Sequence, residues 1–194
     1  SEFEELRSTP DGIERYERIT NAMYQGVRNC PKPVVAMIEG YCMGGGMALA
    51  CACDIRICSD NSIFAIPAGR LGIAYRPNFT RWVVETVGPS TTKEILITAR
   101  RYDAEEALQI GLVNRVTSVA DLPGYVQEYA KSIVENAPLS VRASKNIVNM
   151  VGDSPGEWDR DKMQEFIDAC SGSEDYIEGR RAFMEKRPPA FKGK

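Results

Sequence analysis

Three consecutive glycines, Gly44 to Gly46, are the part of this sequence whose residue types and spacing could do chemistry. They stand between an apolar strand-like run, PVVAMIEG, and a run of small and apolar residues, GMALACAC, typical of a buried helix. At the start of such a helix the backbone N–H groups lack partners and carry the positive end of the helix dipole. Because glycine has no side chain, a substrate carbonyl could approach these donors closely, as in an oxyanion hole. Close packing of the helix against a sheet explains the glycines equally well, whereas the phosphate-binding patterns G-x-G-x-x-G and G-x-x-x-x-G-K-S/T are absent.

Groups that could move protons are scarce around the glycines. The chain of 194 residues has no histidine, which excludes Ser-His-Asp and Cys-His nucleophiles. Between residues 34 and 80 the only acids are Glu39, Asp54 and Asp60. Glu39 precedes the glycine turn and Asp54 follows the helix, where acidic residues commonly serve as turn and cap residues. Acid–base chemistry would therefore have to come from other Asp, Glu, Tyr or Lys side chains, or from the substrate.

The composition limits the partners and the location of the protein. The 24 basic and 27 acidic residues are interspersed, and no apolar run reaches the ~18 residues of a membrane span, so we predict neither a nucleic-acid nor a membrane partner. The six cysteines form no C-x-x-C pair, which with the lack of histidine argues against a metal site. Reduced, buried thiols are typical of a cytoplasmic protein, and we predict that location. The cysteines are Cys30, Cys42, Cys51, Cys53, Cys58 and Cys170.

The hydrophobic pattern divides the chain at about residue 116. Strand-like and helical runs alternate before that point and only helical runs follow, which predicts an α/β fold with a parallel sheet layer (1–116) and a helical C-terminal subdomain (117–194). The expected helices cover residues 11–29, 46–53, 79–88, 90–99, 103–111, 119–136, 139–151, 157–169 and 173–186, and the expected strands cover 33–40, 54–60, 62–67 and 112–116. Four strands are few for such a sheet, so its N-terminal strands are expected to be missing from these residues.

Several longer stretches resemble the crotonase, or enoyl-CoA hydratase/isomerase, superfamily. KPVVAMIEGYCMGGGMALACACDIRICSD is similar to its central motif, and FAIPAGRLGI, VGPSTTKEILITARRYDAEEALQIGLVNRV, APLSVRASK and SEDYIEGRRAFMEKRPPAF follow in family order. The resemblance covers nearly the whole chain. It implies the crotonase-type fold, with parallel strand–strand–helix layers and a C-terminal helical element that forms a homotrimer or a hexamer made of two trimers. Members of the superfamily carry further residues upstream, which supply the first oxyanion donor.

The resemblance also implies the substrate and its site. Members bind acyl-CoA thioesters and stabilise the enolate of the thioester with two backbone N–H groups, and no separate cofactor is implied. The second donor corresponds to Gly45, within an oxyanion-hole turn at 39–54, and an acyl-pocket loop lies at 67–78. The positions that line the acyl pocket correspond to Tyr41, Gly44, Pro67, Ala68, Leu71 and Arg76, and Lys186 corresponds to a position that can reach the CoA of a neighbouring subunit.

The chain departs from the hydratases of this superfamily at both catalytic acids. The two glutamates that add water in those members correspond to Ala48, three residues after Gly45, and to Ala68, after Pro67. General acid–base catalysis commonly contributes about 10²–10⁴-fold, so we expect hydration to be nearly abolished. A reaction that makes an enolate without an enzymic base would still use the oxyanion donors. Loss of carbon dioxide from a malonyl-type acyl-CoA is such a reaction.

The loop RLGIAY supports the same interpretation, since it is similar to the corresponding loop of the methylmalonyl-CoA decarboxylases. The active-site tyrosine of those enzymes corresponds to Tyr75, whose phenol could donate to a substrate carboxylate or protonate the carbanion. Arg76 follows and could pair with a carboxylate. We therefore predict a lyase that acts on acyl-CoA thioesters, with a malonyl-type decarboxylase as the first candidate. The alternatives are an enoyl-CoA hydratase or isomerase of fatty-acid metabolism with acid–base groups from elsewhere, and a non-catalytic acyl-CoA-binding or assembly subunit.

Overall fold

The strands of this protein form two small sheets in the computed structural model, which describes residues 9–153 and 156–194. The described strands are β1 (Val35–Ile38), β2 (Tyr41–Met43), β3 (Ile55–Ser59), β4 (Ile63–Ala65), β5 (Tyr102–Asp103) and β6 (Arg115–Thr117). The first sheet has the order β1-β3-β6 and is parallel throughout. The second has the order β2-β4-β5, with β2 parallel to β4 and β5 antiparallel to it.

Two of these strands, β2 and β5, were not expected from the sequence, which predicted four. They have three and two residues, too few for an alternation of polar and apolar side chains to be recognised. Pairing with β4 creates both of them, since Tyr41 lies opposite Ile63 and Tyr102 lies opposite Phe64. The parallel sheet of the prediction is therefore joined by a second sheet with one antiparallel edge.

The helices follow the sequence pattern closely. They are α1 (Pro10–Arg28), α2 (Gly45–Ala52), α3 (Pro77–Thr98), α4 (Ala104–Gln109), α5 (Leu122–Val134), α6 (Pro138–Asp153), α7 (Arg160–Ser171) and α8 (Glu174–Glu185), with a short 3₁₀ helix at Pro67–Leu71. Helix α3 covers the two helices expected on either side of Gly88. That residue has φ 76° and ψ 166°, so the chain bends there, immediately before Pro89. The predicted break between two helices is therefore present at Gly88, although the two helices follow each other without a loop.

Helix α2 lies in the core and directs the glycine turn. Its residues Met47, Ala48, Ala50, Cys51 and Ala52 are all buried. Because most of these side chains are small, the helix packs closely against its neighbours, which are α1, α3 and β2. A helix surrounded in this way has a fixed axis, and its first turn therefore points in one direction.

The C-terminal end of α2 is held by a buried arginine. Arg56 is 8% exposed and donates from Nη1 to the carbonyls of Cys53 (2.8 Å) and Ala50 (3.4 Å), and from Nε to the carbonyl of Leu112 (2.8 Å). The last carbonyls of a helix have no intrahelical donor, and a cation there complements the helix dipole. Arg56 thus connects the end of α2 to the segment that precedes β6.

Beyond β6 the described residues form helices α5 to α8 and a tail that is fixed to α8. The Asp175 carboxylate is 3% exposed and accepts from the backbone N–H groups of Lys192 (2.6 Å) and Gly193 (2.8 Å). Arg187 donates to both carboxylate oxygens of Glu178, at 2.6 and 3.0 Å. None of the helices in the described ranges is both long enough and apolar enough to cross a bilayer.

The role of Arg56 can be tested through stability. Arg56→Met keeps much of the aliphatic stem but removes the guanidinium donor from the buried carbonyls of Cys53 and Leu112, whereas the Ala50 carbonyl still accepts from the Cys53 N–H at 3.2 Å. We expect the free energy of unfolding to fall by about 2–4 kcal/mol, because unpaired buried polar groups each cost about 1–3 kcal/mol. Urea unfolding followed by circular dichroism measures this. Arg115→Met, on an exposed position of the neighbouring strand, is the control and should change stability by less than about 0.5 kcal/mol; equal effects of the two variants would contradict the role of Arg56.

Candidate active site

The glycine turn joins β2 to α2 through a backbone conformation that favours glycine. Gly44 has φ 50° and ψ −105°, and its N–H donates to the carbonyl of Ala65 at 2.9 Å. This bond continues the pairing of β2 with β4, so the position of the turn is set by the second sheet. A residue with a side chain is strained at such a φ, which explains the glycine at this position.

Gly45 begins α2 and therefore belongs to the first turn, whose N–H groups have no carbonyl one turn earlier. The first N–H that bonds back along the helix is that of Ala48, which donates to the Gly44 carbonyl at 3.1 Å. The Gly45 N–H lies at the positive end of the helix dipole. This arrangement could bind an incoming oxyanion, and the predicted role of Gly45 as the oxyanion donor stays a prediction.

A cavity of about 580 Å³ opens in front of this turn. Seven of the nine predicted site residues line it, namely Gly44, Gly45, Pro67, Ala68, Leu71, Tyr75 and Arg76. The 3₁₀ helix supplies Pro67, Ala68 and Leu71 and ends at Gly72, which has φ 66°. Two larger cavities, of about 1110 and 830 Å³, lie along the C-terminal helices and contain none of the predicted site residues. Chemistry rather than size therefore marks the smaller cavity as the candidate site.

Two predicted residues lie outside this cavity. Tyr41 is in β2 with 73% of its surface exposed, and the guanidinium of Arg101 lies 5.9 Å from the centre of its ring. Its side chain alternates with that of Cys42 along the strand, and it is Cys42 that is buried. Lys186 follows α8 on the surface with φ 52°. Its predicted contact needs a neighbouring subunit and stays a prediction.

Tyr75 lies where the sequence predicted it, but its hydroxyl has a backbone partner. It donates to the Gly44 carbonyl at 3.1 Å. Burial, aided by nearby thiols and Tyr24, raises the pKa of the Tyr75 phenol well above its ordinary value. The side chain therefore stays neutral at physiological pH and acts as a hydrogen-bond donor beside the turn.

Arg76 faces a carboxylate that the sequence analysis did not identify. Its guanidinium forms an ion pair with Glu17 of α1, and both side chains line the cavity. Glu17 lies 28 residues before Gly45 and carries no motif, so only the packing of α1 across the cavity brings it to the site. The signal available in the sequence was its place on the helical run 11–29, which is too general to single it out.

Tyr24 is a second residue that the sequence analysis missed. It also comes from α1, is 6% exposed, and donates from its hydroxyl to the Gly45 carbonyl at 3.1 Å. Its ring packs edge-on against Phe79, with ring centres 4.8 Å apart, and against Trp82 at 6.1 Å. The glycine turn is therefore contacted by two tyrosine hydroxyls, one from α1 and one from the loop before α3.

The positions of the two hydratase glutamates hold buried alanines, since Ala48 is 0% and Ala68 is 6% exposed. The acids near the turn in sequence do not replace them. Asp54 accepts from the Val34 N–H (2.7 Å) and pairs with Lys145 (2.7 Å), while Glu39 is exposed. Among the described residues that line the cavity, Glu17 is the one carboxylate.

The ionisation of Tyr75 gives a pH test. Above pH 10 the unfolded chain loses the phenol proton while the folded protein keeps it, because the pKa of Tyr75 is raised on folding from its ordinary value of 10.0. Its contribution to stability is full below pH 10 and falls above it by about 1.4 kcal/mol per pH unit. We expect the unfolding free energy of Tyr75→Phe to decline less steeply than that of wild type between pH 10 and 11, measured by urea titration. Parallel curves would show that Tyr75 ionises freely in the folded protein.

Proteins of known sequence and structure place this chain in a family. The enoyl-CoA hydratase/isomerase family model matches residues 4–194. Carnitinyl-CoA dehydratase of Escherichia coli (strain K12) is 39% identical over 170 residues, which are 86% of this chain and 65% of that protein. The enzyme of the same name from Citrobacter koseri is 40% identical over 167 residues, or 84% of this chain and 64% of that protein. The chain spans about 65% of the length of these curated relatives.

Solved structures agree with the sequence match. An enoyl-CoA hydratase/isomerase family protein from Hyphomonas neptunium superposes with a TM-score of 0.93 at 33% identity, over 100% of this chain and 73% of that chain. An enoyl-CoA hydratase/carnithine racemase from Magnetospirillum magneticum gives 0.90 at 34% identity, over 100% and 72%. The crotonase-type α/β fold predicted from the sequence is thus confirmed. The chain belongs to the enoyl-CoA hydratase/isomerase family.

Proposed function

We propose that this protein acts on acyl-CoA thioesters and stabilises a thioester enolate with the Gly45 N–H. The observation that carries the proposal is that a helix whose first N–H groups have no backbone partner among the described residues begins at a cavity of about 580 Å³ lined mostly by apolar and aromatic side chains. A preorganised backbone donor of this kind typically contributes about 3 kcal/mol to the stability of a transition state with a developing oxyanion. Family membership over residues 4–194 supports the same substrate class.

For the reaction, we propose decarboxylation of a malonyl-type acyl-CoA. The bond between the α-carbon and the carboxylate breaks, carbon dioxide leaves, and its electron pair passes into the enolate. A proton from water then reaches the α-carbon, and the hydroxide that remains combines with the carbon dioxide as bicarbonate, while the Tyr75 hydroxyl keeps its bond to the Gly44 carbonyl. No enzymic base is required, which fits buried alanines at positions 48 and 68. The raised pKa of Tyr75 suits a group that donates hydrogen bonds rather than one that removes protons.

Arg76 supplies the recognition of the substrate carboxylate in this proposal. It already pairs with a carboxylate, that of Glu17, at the wall of the cavity. Charge-assisted pairs of arginine with carboxylates are among the stronger hydrogen bonds in proteins. A substrate carboxylate would replace Glu17 as the partner of Arg76, so Glu17 would compete with the substrate.

A second candidate is dehydration or hydration of an acyl-CoA, favoured by the 39% identity to carnitinyl-CoA dehydratase. In that reaction Glu17 would serve as the acid–base group, because it is the carboxylate among the described residues that line the cavity. A subunit that binds acyl-CoA without turnover is the third candidate.

We also propose that acyl-CoA is the only small molecule required and that the protein assembles as a homotrimer or as two trimers. Lys186 would then be directed at the site of a neighbouring subunit.

The first test is mass spectrometry of an acyl-CoA panel after incubation with the purified protein. The panel contains methylmalonyl-, ethylmalonyl-, crotonyl- and carnitinyl-CoA. We expect a loss of carbon dioxide from a malonyl-type member and no addition of water to crotonyl-CoA. Release of water from carnitinyl-CoA at enzyme-like rates would favour the dehydratase instead, and binding of every member without any change in mass would favour the non-catalytic subunit.

Two substitutions distinguish the decarboxylase from the dehydratase by their effects on KM and kcat. With methylmalonyl-CoA, Arg76→Met should raise KM about 10–100-fold, since it removes a charge-assisted partner of the substrate. Glu17→Gln should lower KM, because it removes the competing carboxylate. If Glu17 is instead the acid–base group of a dehydratase, Glu17→Gln should reduce kcat by about 10²–10⁴-fold. Glu128→Gln, an exposed residue of α5, is the control for both readings and should leave kcat and KM unchanged.

A further inference from the structure

We propose that Tyr24 is a positioning residue for the oxyanion donor: its hydroxyl, together with that of Tyr75, fixes the two peptide groups on either side of Gly45. This inference rests on the proposed use of the Gly45 N–H, and it adds a residue from α1 that no sequence motif marks. Tyr24 does not face the reacting atoms through its hydroxyl, which is directed at the Gly45 carbonyl 3.1 Å away.

The two hydroxyls act on consecutive peptide groups. Tyr75 donates to the Gly44 carbonyl, which belongs to the same peptide group as the Gly45 N–H. Tyr24 donates to the Gly45 carbonyl, which belongs to the next peptide group. A hydrogen bond accepted by a carbonyl polarises its peptide group and strengthens the N–H as a donor. Gly45 is thus held on both sides, and the direction of its N–H is set by side chains as well as by the helix.

Glycine makes this support necessary. A glycine has more accessible backbone conformations than any other residue, and here Gly44, Gly45 and Gly46 follow one another. Helix α2 begins at Gly45 without a side-chain cap at Gly44. An oxyanion donor is effective only if it points at the position where the charge develops. A freely rotating turn would weaken it.

Tyr24 is itself rigid. It is 6% exposed, and its ring meets Phe79 with an interplanar angle of 85° and Trp82 with one of 75°. Phe79 also packs against Tyr75, with ring centres 5.9 Å apart. One aromatic cluster, made of Tyr24, Tyr75, Phe79 and Trp82, therefore holds both hydroxyls in place.

The same contact explains the glycine at position 45. Gly45 does not have a positive φ, so its backbone alone would accept a side chain. A Cβ built on Gly45, however, would lie 2.9 Å from the Tyr24 hydroxyl oxygen, whereas one on Gly46 would meet nothing within 4 Å. Because Gly45 has no side chain, the Tyr24 hydroxyl can lie close enough to bond to the Gly45 carbonyl and fix its peptide group.

The test is Tyr24→Phe, which keeps the ring and its packing and removes only the hydroxyl. We expect kcat for the panel member that turns over to fall about 5–20-fold with little change in KM, because the donor is misaligned rather than lost. The ¹⁵N relaxation of the Gly45 amide, measured without ligand in glycine-labelled protein, should change from rigid to mobile. Tyr125→Phe, a partly exposed tyrosine of α5, should alter neither quantity. Unchanged relaxation and unchanged kcat in Tyr24→Phe would overturn the inference.

A double-mutant comparison gives an independent result. Gly45→Ala should reduce kcat at least 10-fold, since its methyl group displaces the Tyr24 hydroxyl, and adding Tyr24→Phe should restore part of the loss. Equal losses from Gly45→Ala in both backgrounds would contradict the proposed contact. If the Gly45 amide is loosened by Tyr24→Phe but wild-type protein turns over no acyl-CoA, the positioning role stands and the proposed function fails.

Discussion

The hydrogen bonds that fix helix α2 at both ends are the constraint on which this site depends. At its start, the Gly44 N–H is paired with the Ala65 carbonyl, which ties the glycine turn to the second sheet. At its end, Arg56 binds the carbonyls of Ala50 and Cys53 and links them to Leu112. A helix of eight residues is too short to be stable alone, so these ties and its burial in the core maintain it. Because the helix is fixed at both ends, the N–H groups of its first turn point in a fixed direction.

The electrostatics of the cavity follow from what surrounds that helix. The wall consists of aliphatic and aromatic side chains, small residues and neutral hydroxyls, and Arg76 and Glu17 form an ion pair at its side. Gly45 and Arg76 are exposed to solvent, so a backbone dipole there acts more strongly than in water only once a bound ligand has displaced the solvent. Burial raises the pKa of the Tyr75 phenol, so this side chain is a hydrogen-bond donor rather than a base. In the proposed decarboxylation the substrate would bring its own negative charge to Arg76 and would need no enzymic carboxylate as a base.

Family membership describes the scaffold of this protein, whereas a few side chains determine the chemistry of the site. The match over residues 4–194 and the TM-score of 0.93 concern the scaffold, which places a helix N-terminus beside a cavity. The groups that meet the substrate depend on a few positions. Here alanines, Ala48 and Ala68, stand at the two positions of the hydratase glutamates, while Tyr75 and Glu17 lie at other positions. The relatives named carnitinyl-CoA dehydratase share 39–40% of the aligned residues, which fixes the fold but leaves these few positions free to vary.

The sequence by itself determined the glycine turn, the absence of the two glutamates, the parallel sheet and nearly every helix, because these features are local: they depend on periodicity, on glycine and proline, and on motifs read along the chain. It also identified seven of the fifteen described residues that line the cavity, all of them between Gly44 and Arg76. Only the tertiary structure decided that β2 and β5 are strands, that Tyr41 faces outward, and that the glycine turn is held by Tyr24 and faces Glu17. The physical reason is that these properties arise when α1 packs across the turn and when short segments pair with β4. Such contacts join residues far apart in the chain, and no local pattern of side chains records them.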